Sequence, residues 1–125
     1  MKNSIRISES EAKVMQVLWD EHPLAAEQVV EKLAVNESWA TSTVKTLLNR
    51  LLKKGAISAE ADGRRYHYRP LLLRSTYVAS ESRSLLDRLF DGKVAPLVSH
   101  FAENRKLGKR DLAELRRLLD EMEHD

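Results

Sequence analysis

The segment from Thr41 to Gly55 constrains the fold of this chain more than any other. Its apolar residues follow the i, i+3, i+4, i+7, i+8 spacing of one helical face, and they are Val44, Leu47, Leu48, Leu51 and Leu52. This spacing predicts a helix from about Thr41 to Lys54, with Gly55 as a left-handed C-cap. The opposite face and its flanks are polar, and they carry Ser42, Thr43, Lys45, Thr46, Asn49, Arg50 and Lys53. One face is thus suited to a core and the other to a polar partner.

Two shorter helices are predicted before this segment. Ser8 and Glu11 have the spacing of a capping box, and an apolar stripe follows them as far as Trp19. His22-Pro23 ends the first helix. The second helix is predicted over residues 26–33, with no capping side chain at its start, and a turn at residues 36–38 leads into the third.

A β-hairpin is predicted directly after the third helix. Residues 57–61 and 64–69 have the composition of short strands, and Asp62-Gly63 between them is a strong hairpin signal. Tyr66 and Tyr68 share one strand face, and we expect both to pack the hairpin against the helices, with stacking on a base as the alternative. Arg64 and Arg65 are predicted at the tip.

The order helix, helix, helix, hairpin is that of a winged helix-turn-helix domain, in which the last helix of the pair enters the major groove of DNA. The predicted fold class is mainly α with a small β-hairpin wing. We expect the winged domain to cover residues 1–70 and a helical dimerisation domain to cover residues 71–125.

Three helices are predicted in the second domain, over residues 71–90, 94–104 and from 109 onward. Their apolar stripes are too few to build a core alone, so we expect a second copy of the chain to cover them. The predicted dimer interface comprises Leu97, Val98, Phe101, Leu112, Leu115, Leu119 and Met122. The alternative is that these stripes pack within one chain.

The charge of the chain is unevenly distributed, although its net value is only +2. Residues 1–40 hold four basic and seven acidic side chains, residues 41–70 hold seven and two, and residues 71–125 hold ten of each. The positive excess therefore coincides with the third helix and the hairpin, as expected of a surface that binds a polyanion. A merely solvated face is the alternative.

Several residues resemble those of the penicillinase-repressor family (BlaI/MecI/CopY type) of bacterial winged-helix transcriptional regulators. The resemblance rests on the pattern Trp39-x-x-x-Thr43-Val44-x-Thr46-Leu47-Leu48-x-Arg50-Leu51-x-Lys53-Lys54-Gly55, on Glu11 to Trp19, on the wing Gly63-Arg64-x-Tyr66-x-Tyr68, and on Leu107 to Leu119. It implies a homodimeric, sequence-specific repressor that binds double-stranded operator DNA at a palindrome.

The resemblance also implies residue roles. The base-contacting positions of the family correspond here to Ser42, Thr43 and Thr46. Contacts to the DNA backbone are expected from the polar residue Asn49 and from basic residues, since basic side chains neutralise phosphates; the basic residues are Lys45, Arg50, Lys53, Lys54, Arg64 and Arg65.

This chain departs from the family pattern in places that bear on regulation. Penicillinase-type members often have Pro at the position of Thr41 and Lys at that of Ser42, so the preferred operator is expected to differ. They are inactivated by a protease at an Asn-Phe bond, in a pathway begun by a membrane receptor. The corresponding bond here is His100-Phe101, which makes a protease a candidate partner. The copper-responsive branch uses a cysteine cluster, and this chain has no cysteine.

Other functional classes find little support in the sequence. Without cysteine there are no disulfides or zinc fingers, and the four histidines lack metal-site spacing. We find no phosphate-binding loop and no nucleophile-base constellation, so neither an enzyme nor a cofactor is predicted. We see no signal peptide and no membrane-spanning run, which predicts a cytoplasmic protein that does not insert into membranes.

Two rival functions remain open at this point. A winged helix can also serve as a protein–protein adaptor, because fold alone does not determine function. An architectural DNA binder without sequence preference would need apolar wedges or a more basic surface than a net charge of +2 provides.

Overall fold

The structure, a computed structural model, describes residues 5–124. Within this range the chain forms six helices and one two-stranded antiparallel sheet. The elements are α1 (Glu9–Asp20), α2 (Ala26–Leu33), α3 (Thr41–Lys54), β1 (Ile57–Asp62), β2 (Arg65–Pro70), α4 (Arg74–Leu89), α5 (Val94–Glu103) and α6 (Lys109–Glu123). The predicted class, mainly helical with one hairpin, is confirmed.

The starts of α1 and α2 are capped in different ways. Ser8 and Glu11 form the predicted capping box, in which the Glu11 amide donates to Ser8 Oγ at 3.1 Å and the Ser8 amide donates to Glu11 Oε1 at 2.7 Å. At α2 the N-cap residue, Ala25, has no polar side chain, as expected. The Gln28 side chain reaches back instead and accepts from the Ala25 amide at 2.8 Å.

One hydrophobic core joins the three N-terminal helices to the hairpin. Its buried side chains come from every one of these elements and include Val14, Met15, Leu18, Val29, Val44, Leu48, Leu51, Ile57 and Tyr68. The α3 residues among them belong to the stripe predicted from sequence. Burial of this stripe determines which face of α3 is turned outward.

The hairpin turn lies one residue later than predicted. Asp62 pairs with Arg65, so the two turn residues are Gly63 and Arg64 rather than Asp62 and Gly63. Gly63 has a φ of 66°, and glycine is the residue that adopts positive φ at the first central position of a tight hairpin turn. Arg64 is therefore at the tip itself.

The hairpin is also anchored by a contact that the sequence did not reveal. Leu24, in the segment before α2, forms an isolated antiparallel bridge with Tyr68 of β2. The Tyr68 amide donates to the Leu24 carbonyl at 2.8 Å, and the Leu24 amide donates back at 3.2 Å. This bridge fixes the base of the wing relative to α2.

The described residues form two compact units that divide between Val78 and Ala79, inside α4. The first unit extends past the expected domain end at residue 70 because side chains beyond it pack on α1. Trp19 Nε1 donates to the Leu72 carbonyl at 2.8 Å, and the Trp19 ring lies 5.5 Å from that of Tyr77. The domain assignment itself, 1–70 and 71–125, stays a prediction.

The helices that follow the hairpin differ from the first three in their burial. No residue of α4, α5 or α6 is buried. In the second unit, local contacts such as the ion pairs of Arg117 with Glu114 and Glu121 support α6. Among the described residues, no helix is both long and apolar enough to cross a membrane.

A buried carboxylate connects α1 to the end of α3. Glu11 is only 1% exposed, and its Oε1 lies 2.6 Å from the ammonium of Lys54, which also donates to the Arg6 carbonyl at 2.8 Å. Burial alone would raise the pKa of Glu11, but hydrogen bonds from Lys54 and Ser8 outweigh it and lower the pKa below its ordinary value of 4.5. Lys54 thus holds the last turn of α3 against the start of α1.

We expect Glu11→Gln to lower the free energy of unfolding by about 1–3 kcal/mol near neutral pH, because it removes charge-assisted hydrogen bonds. The lowered pKa means that the carboxylate stabilises the fold above its ordinary pKa and ceases to do so as the pH falls through the folded pKa. The free energies of unfolding of wild type and variant, measured by urea unfolding at several pH values, should therefore converge at acid pH.

The matched control for this pair is the neighbouring lysine on the same helix. Lys54→Met leaves the buried carboxylate without its cation, whereas Lys53→Met removes an exposed charge. Equal stability of the two methionine variants would contradict a structural role for the Glu11–Lys54 pair.

Candidate nucleic-acid interface

The exposed face of α3 is entirely polar. Its outward side chains are those predicted from the helical spacing, Ser42, Thr43, Lys45, Thr46, Asn49, Arg50 and Lys53, together with Thr41. The residues between them, Val44, Leu47, Leu48 and Leu51, are buried. The structure therefore places all three predicted base-contacting residues on the solvent side of the first turns of α3.

The three small side chains are not equivalent in their hydrogen bonding. Thr46 Oγ1 donates to the carbonyl oxygen of Ser42 at 3.0 Å, within the helix. The hydroxyl proton of Thr46 is therefore occupied, while its oxygen lone pairs and its methyl group remain available. Such a side chain can accept a hydrogen bond or make an apolar contact, such as one with the thymine methyl group.

The predicted backbone contacts divide into two groups. Lys45, Asn49, Arg50, Lys53, Arg64 and Arg65 are exposed on α3 or on the wing. Lys54 is also partly exposed, but its ammonium contacts Glu11 and the Arg6 carbonyl inside the first unit. A lysine occupied in this way has little freedom to neutralise a phosphate. We therefore leave Lys54 out of the candidate interface.

The two wing tyrosines have different environments, which corrects the expectation that both pack against the helices. Tyr68 is 9% exposed and belongs to the core, whereas Tyr66 is 57% exposed. Burial, followed by the nearby charges of Tyr66 and Glu27, raises the pKa of Tyr68. Tyr68 is the residue that bridges to Leu24 and joins the core of the first unit, whereas Tyr66 lies two residues nearer the tip of the wing.

Tyr66 lies between two clefts that open on the wing side of α3. One is lined by Lys45, Asn49, Leu52, Ala59, Tyr66 and Tyr68. The other is lined by Ala26, Glu27, Lys45, Arg64, Arg65, Tyr66 and Tyr68. Lys45 of α3 and Tyr66 of the wing line both clefts, so the helix and the hairpin contribute to one continuous surface.

Glu27 is a member of this surface that sequence reasoning missed. It lies in the first turn of α2, and its Oε1 is 3.8 Å from Arg65 Nη2. The linear charge count assigned Glu27 to the acidic N-terminal segment, because nothing in the sequence indicated that the turn before α2 pairs with the wing. Elsewhere on the wing, His67 Nδ1 lies 3.5 Å from Asp62 Oδ2.

The predicted dimer-interface residues all lie on α5 and α6 of the second unit. Leu97, Val98 and Leu115 are half-buried. The exposed members are Phe101 at 40%, Leu112 at 41%, Leu119 at 58% and Met122 at 71%. The His100-Phe101 bond lies inside α5, and both side chains are exposed.

Comparison with known proteins connects these surfaces to a family. The family model described as "Penicillinase repressor" matches residues 7–121. The penicillinase repressor of Bacillus licheniformis is 34% identical over 121 residues, which cover 97% of this chain and 94% of that protein. The methicillin resistance regulatory protein MecI of Staphylococcus aureus (strain N315) is 29% identical, over 91% of this chain and 93% of that protein.

Two solved structures are similar to part of the chain. The solution structure of the DNA-binding domain of the repressor BlaI is 35% identical, with a TM-score of 0.55, and the match covers 62% of this chain and 94% of that one. Monomeric BlaI of Bacillus licheniformis in complex with the blaP half-operator has the same identity and coverage, with a TM-score of 0.52.

Proposed function

This chain belongs to the penicillinase repressor family, and from that premise we propose that it is a sequence-specific DNA-binding transcriptional repressor that binds a palindromic operator as a homodimer. The relatives named above are repressors or a regulatory protein. The half-operator complex of a 35% identical relative supports operator DNA as the ligand. Repression in the cytoplasm is part of the same proposal.

The observation that carries the proposal is the continuous polar and basic surface shared by α3 and the wing. The α3 helix supplies Lys45 to both clefts, and the wing supplies Arg64 and Arg65 to one of them. A helix in the major groove places its early residues at base edges, while flanking cations neutralise phosphates and release counterions. The surface has both kinds of side chain in that arrangement.

In this proposal Ser42, Thr43 and Thr46 contact bases. Small hydroxyl side chains approach base edges closely, and threonine adds a methyl group that can contact thymine. The DNA backbone is contacted by Lys45, Asn49, Arg50, Lys53, Arg64 and Arg65. These contacts position α3 on the duplex, whereas the base contacts supply the sequence preference.

The rival function, a protein–protein adaptor, is less compatible with the same surface. An adaptor helix buries apolar side chains against its partner, but every exposed residue of α3 is polar. Its charged neighbours on the wing would also lose hydration in such an interface.

The homodimer part of the proposal rests on the second unit. Amphipathic helices with no buried residue of their own are stabilised when an apolar partner covers them. A C2 dimer joined through α5 and α6 would present two copies of α3 to a palindrome. The second half-site contact would then be effectively intramolecular.

The regulatory part of the proposal concerns a protease partner. Cleavage of the His100-Phe101 bond would separate α6 from the DNA-binding unit and so remove five of the seven proposed interface residues, all except Leu97 and Val98. Because this bond lies inside α5, the helix has to open locally before a protease can bind it in an extended form.

The first test measures binding directly. Titration of duplex DNA from upstream of the protein's own gene, against a scrambled duplex at fixed salt, should show preferential binding. Replacing Arg64 and Arg65 with Ala should weaken binding to both duplexes. It should also reduce the salt slope, the steepness with which the logarithm of the binding constant falls with the logarithm of the salt concentration, by up to about one unit for each lost phosphate contact. An unchanged slope would remove the wing from the interface, and equal affinity of the wild type for both duplexes would refute sequence-specific binding.

The second test separates the two available groups of Thr46. Because its hydroxyl proton is donated within the helix, we expect the methyl group to read the operator. Thr46→Ser should then weaken operator binding by about 1 kcal/mol, while Thr46→Val should bind nearly as wild type. The reverse order would assign the contact to the hydroxyl oxygen, and equal losses on scrambled DNA would exclude a base contact.

The third test addresses the dimer. Leu115→Asp places a charge in the proposed dimer interface, and truncation after Asn104 removes α6. Both changes should shift the protein toward monomer in analytical ultracentrifugation. Operator affinity should fall steeply while weak non-specific binding persists. Arg116→Asp, an exposed substitution beside Leu115, is the control. A truncated protein that stays dimeric and binds operator normally would contradict the role of α6.

A further inference from the structure

An acidic side chain lies in the most basic part of the candidate interface. Glu27 lines the same cleft as Lys45, Arg64 and Arg65, all of which are proposed phosphate contacts. A carboxylate at such a place opposes the binding of DNA, because it attracts the cations that would otherwise neutralise phosphates. Its presence there calls for a functional explanation.

The contact of Glu27 with Arg65 has the properties of a reversible pair. The two charged groups are 3.8 Å apart, and the side chains of Arg65 and Glu27 remain 54% and 61% exposed. Exposed pairs of this kind contribute little to stability. The pair therefore does not hold the fold together, and a competing anion can separate it.

The two partners differ in how firmly each is placed. Glu27 lies in the first turn of α2, where the helix dipole favours a negative charge, and Gln28 beside it caps the same turn. Arg65 lies next to the two-residue turn at the tip of the wing, and its charged group is at the end of a long side chain. When the pair separates, the arginine is the partner with freedom to move.

From this geometry we infer that Glu27 holds Arg65 in the DNA-free protein and releases it to a DNA phosphate on binding, so that Glu27 limits the affinity for DNA. The inference rests on the proposed DNA-binding function and deepens it by adding an exchange of anions at one residue. Glu27 is a positioning residue here, because it acts on DNA through Arg65.

The exchange has a consequence for salt dependence. Arg65 displaces a condensed cation when it binds a phosphate, which favours binding at low salt. The released Glu27 carboxylate attracts a cation from solution, so the net number of ions released is smaller. Without Glu27, the salt dependence should become steeper by at most about one unit of slope.

The experiment compares Glu27→Gln with Glu31→Gln, which makes the same charge change one turn further along α2, outside the lining of this cleft. Each protein is titrated against the upstream duplex and a scrambled duplex at several salt concentrations. Glu27→Gln should bind both duplexes up to about fivefold more tightly than the control does, the range expected of an exposed ion pair. Its salt slope should also be the steeper one.

A double-mutant cycle tests whether Arg65 mediates the effect. In an Arg65→Ala background, Glu27→Gln should no longer differ from Glu31→Gln. A gain that persists in this background would replace the exchange with direct repulsion between Glu27 and phosphate. Equal gains for the two glutamine variants, or weaker binding by Glu27→Gln, would also overturn the inference.

The result is independent of the test of sequence-specific binding. If the wild-type protein binds both duplexes equally, the repressor function fails while the exchange at Glu27 can still be measured on either duplex. If the wild type prefers its upstream duplex and the cycle shows no coupling, only the exchange fails. Thermal melts of all variants, which should be alike for an exposed pair, exclude misfolding as the cause of any change.

Discussion

The burial of one face of α3 is the constraint on which the DNA-binding unit depends. Val44, Leu48 and Leu51 pack into a core shared with α1, α2 and the hairpin. Once that face is buried, the polar face must lie in solvent, and the orientation of every proposed DNA contact on α3 follows. The Lys54–Glu11 pair then fixes the end of the helix against α1. Packing on the buried side of α3 thus determines the orientation of the face that we propose contacts DNA.

Charge in the first unit has two separate uses. Lys54 pairs with a buried carboxylate and stabilises the fold, while Arg65 pairs with an exposed one and can exchange it. The difference in burial decides the difference in role, because a buried anion needs its cation and an exposed anion is solvated by water. The affinity of a positive surface for DNA therefore does not depend on its basic residues alone. Acidic residues within the surface, such as Glu27, contribute to it as well.

The two units are stabilised by different means. The first has a core of its own, while α4, α5 and α6 contain no buried residue and expose apolar side chains such as Leu119 and Met122. An unpartnered apolar stripe favours association, and a twofold axis would match it to a palindromic operator. This division would also let a change in the second unit, such as cleavage, alter DNA binding without disturbing the first.

The sequence by itself determined the element types, the buried stripe of α3 and the polar residues opposite it, because these depend on local periodicity and on signals such as Gly55. It also indicated the family, through motifs spread along the chain. Apart from the one-residue shift of the hairpin turn, its errors and omissions concern contacts between distant segments. Only the tertiary structure decided that Lys54 is an internal partner of Glu11, that Tyr66 is exposed while Tyr68 is buried, and that Glu27 meets Arg65. Each of these contacts depends on how segments far apart in the sequence pack in three dimensions. A local pattern of residues does not specify which distant segment lies beside it.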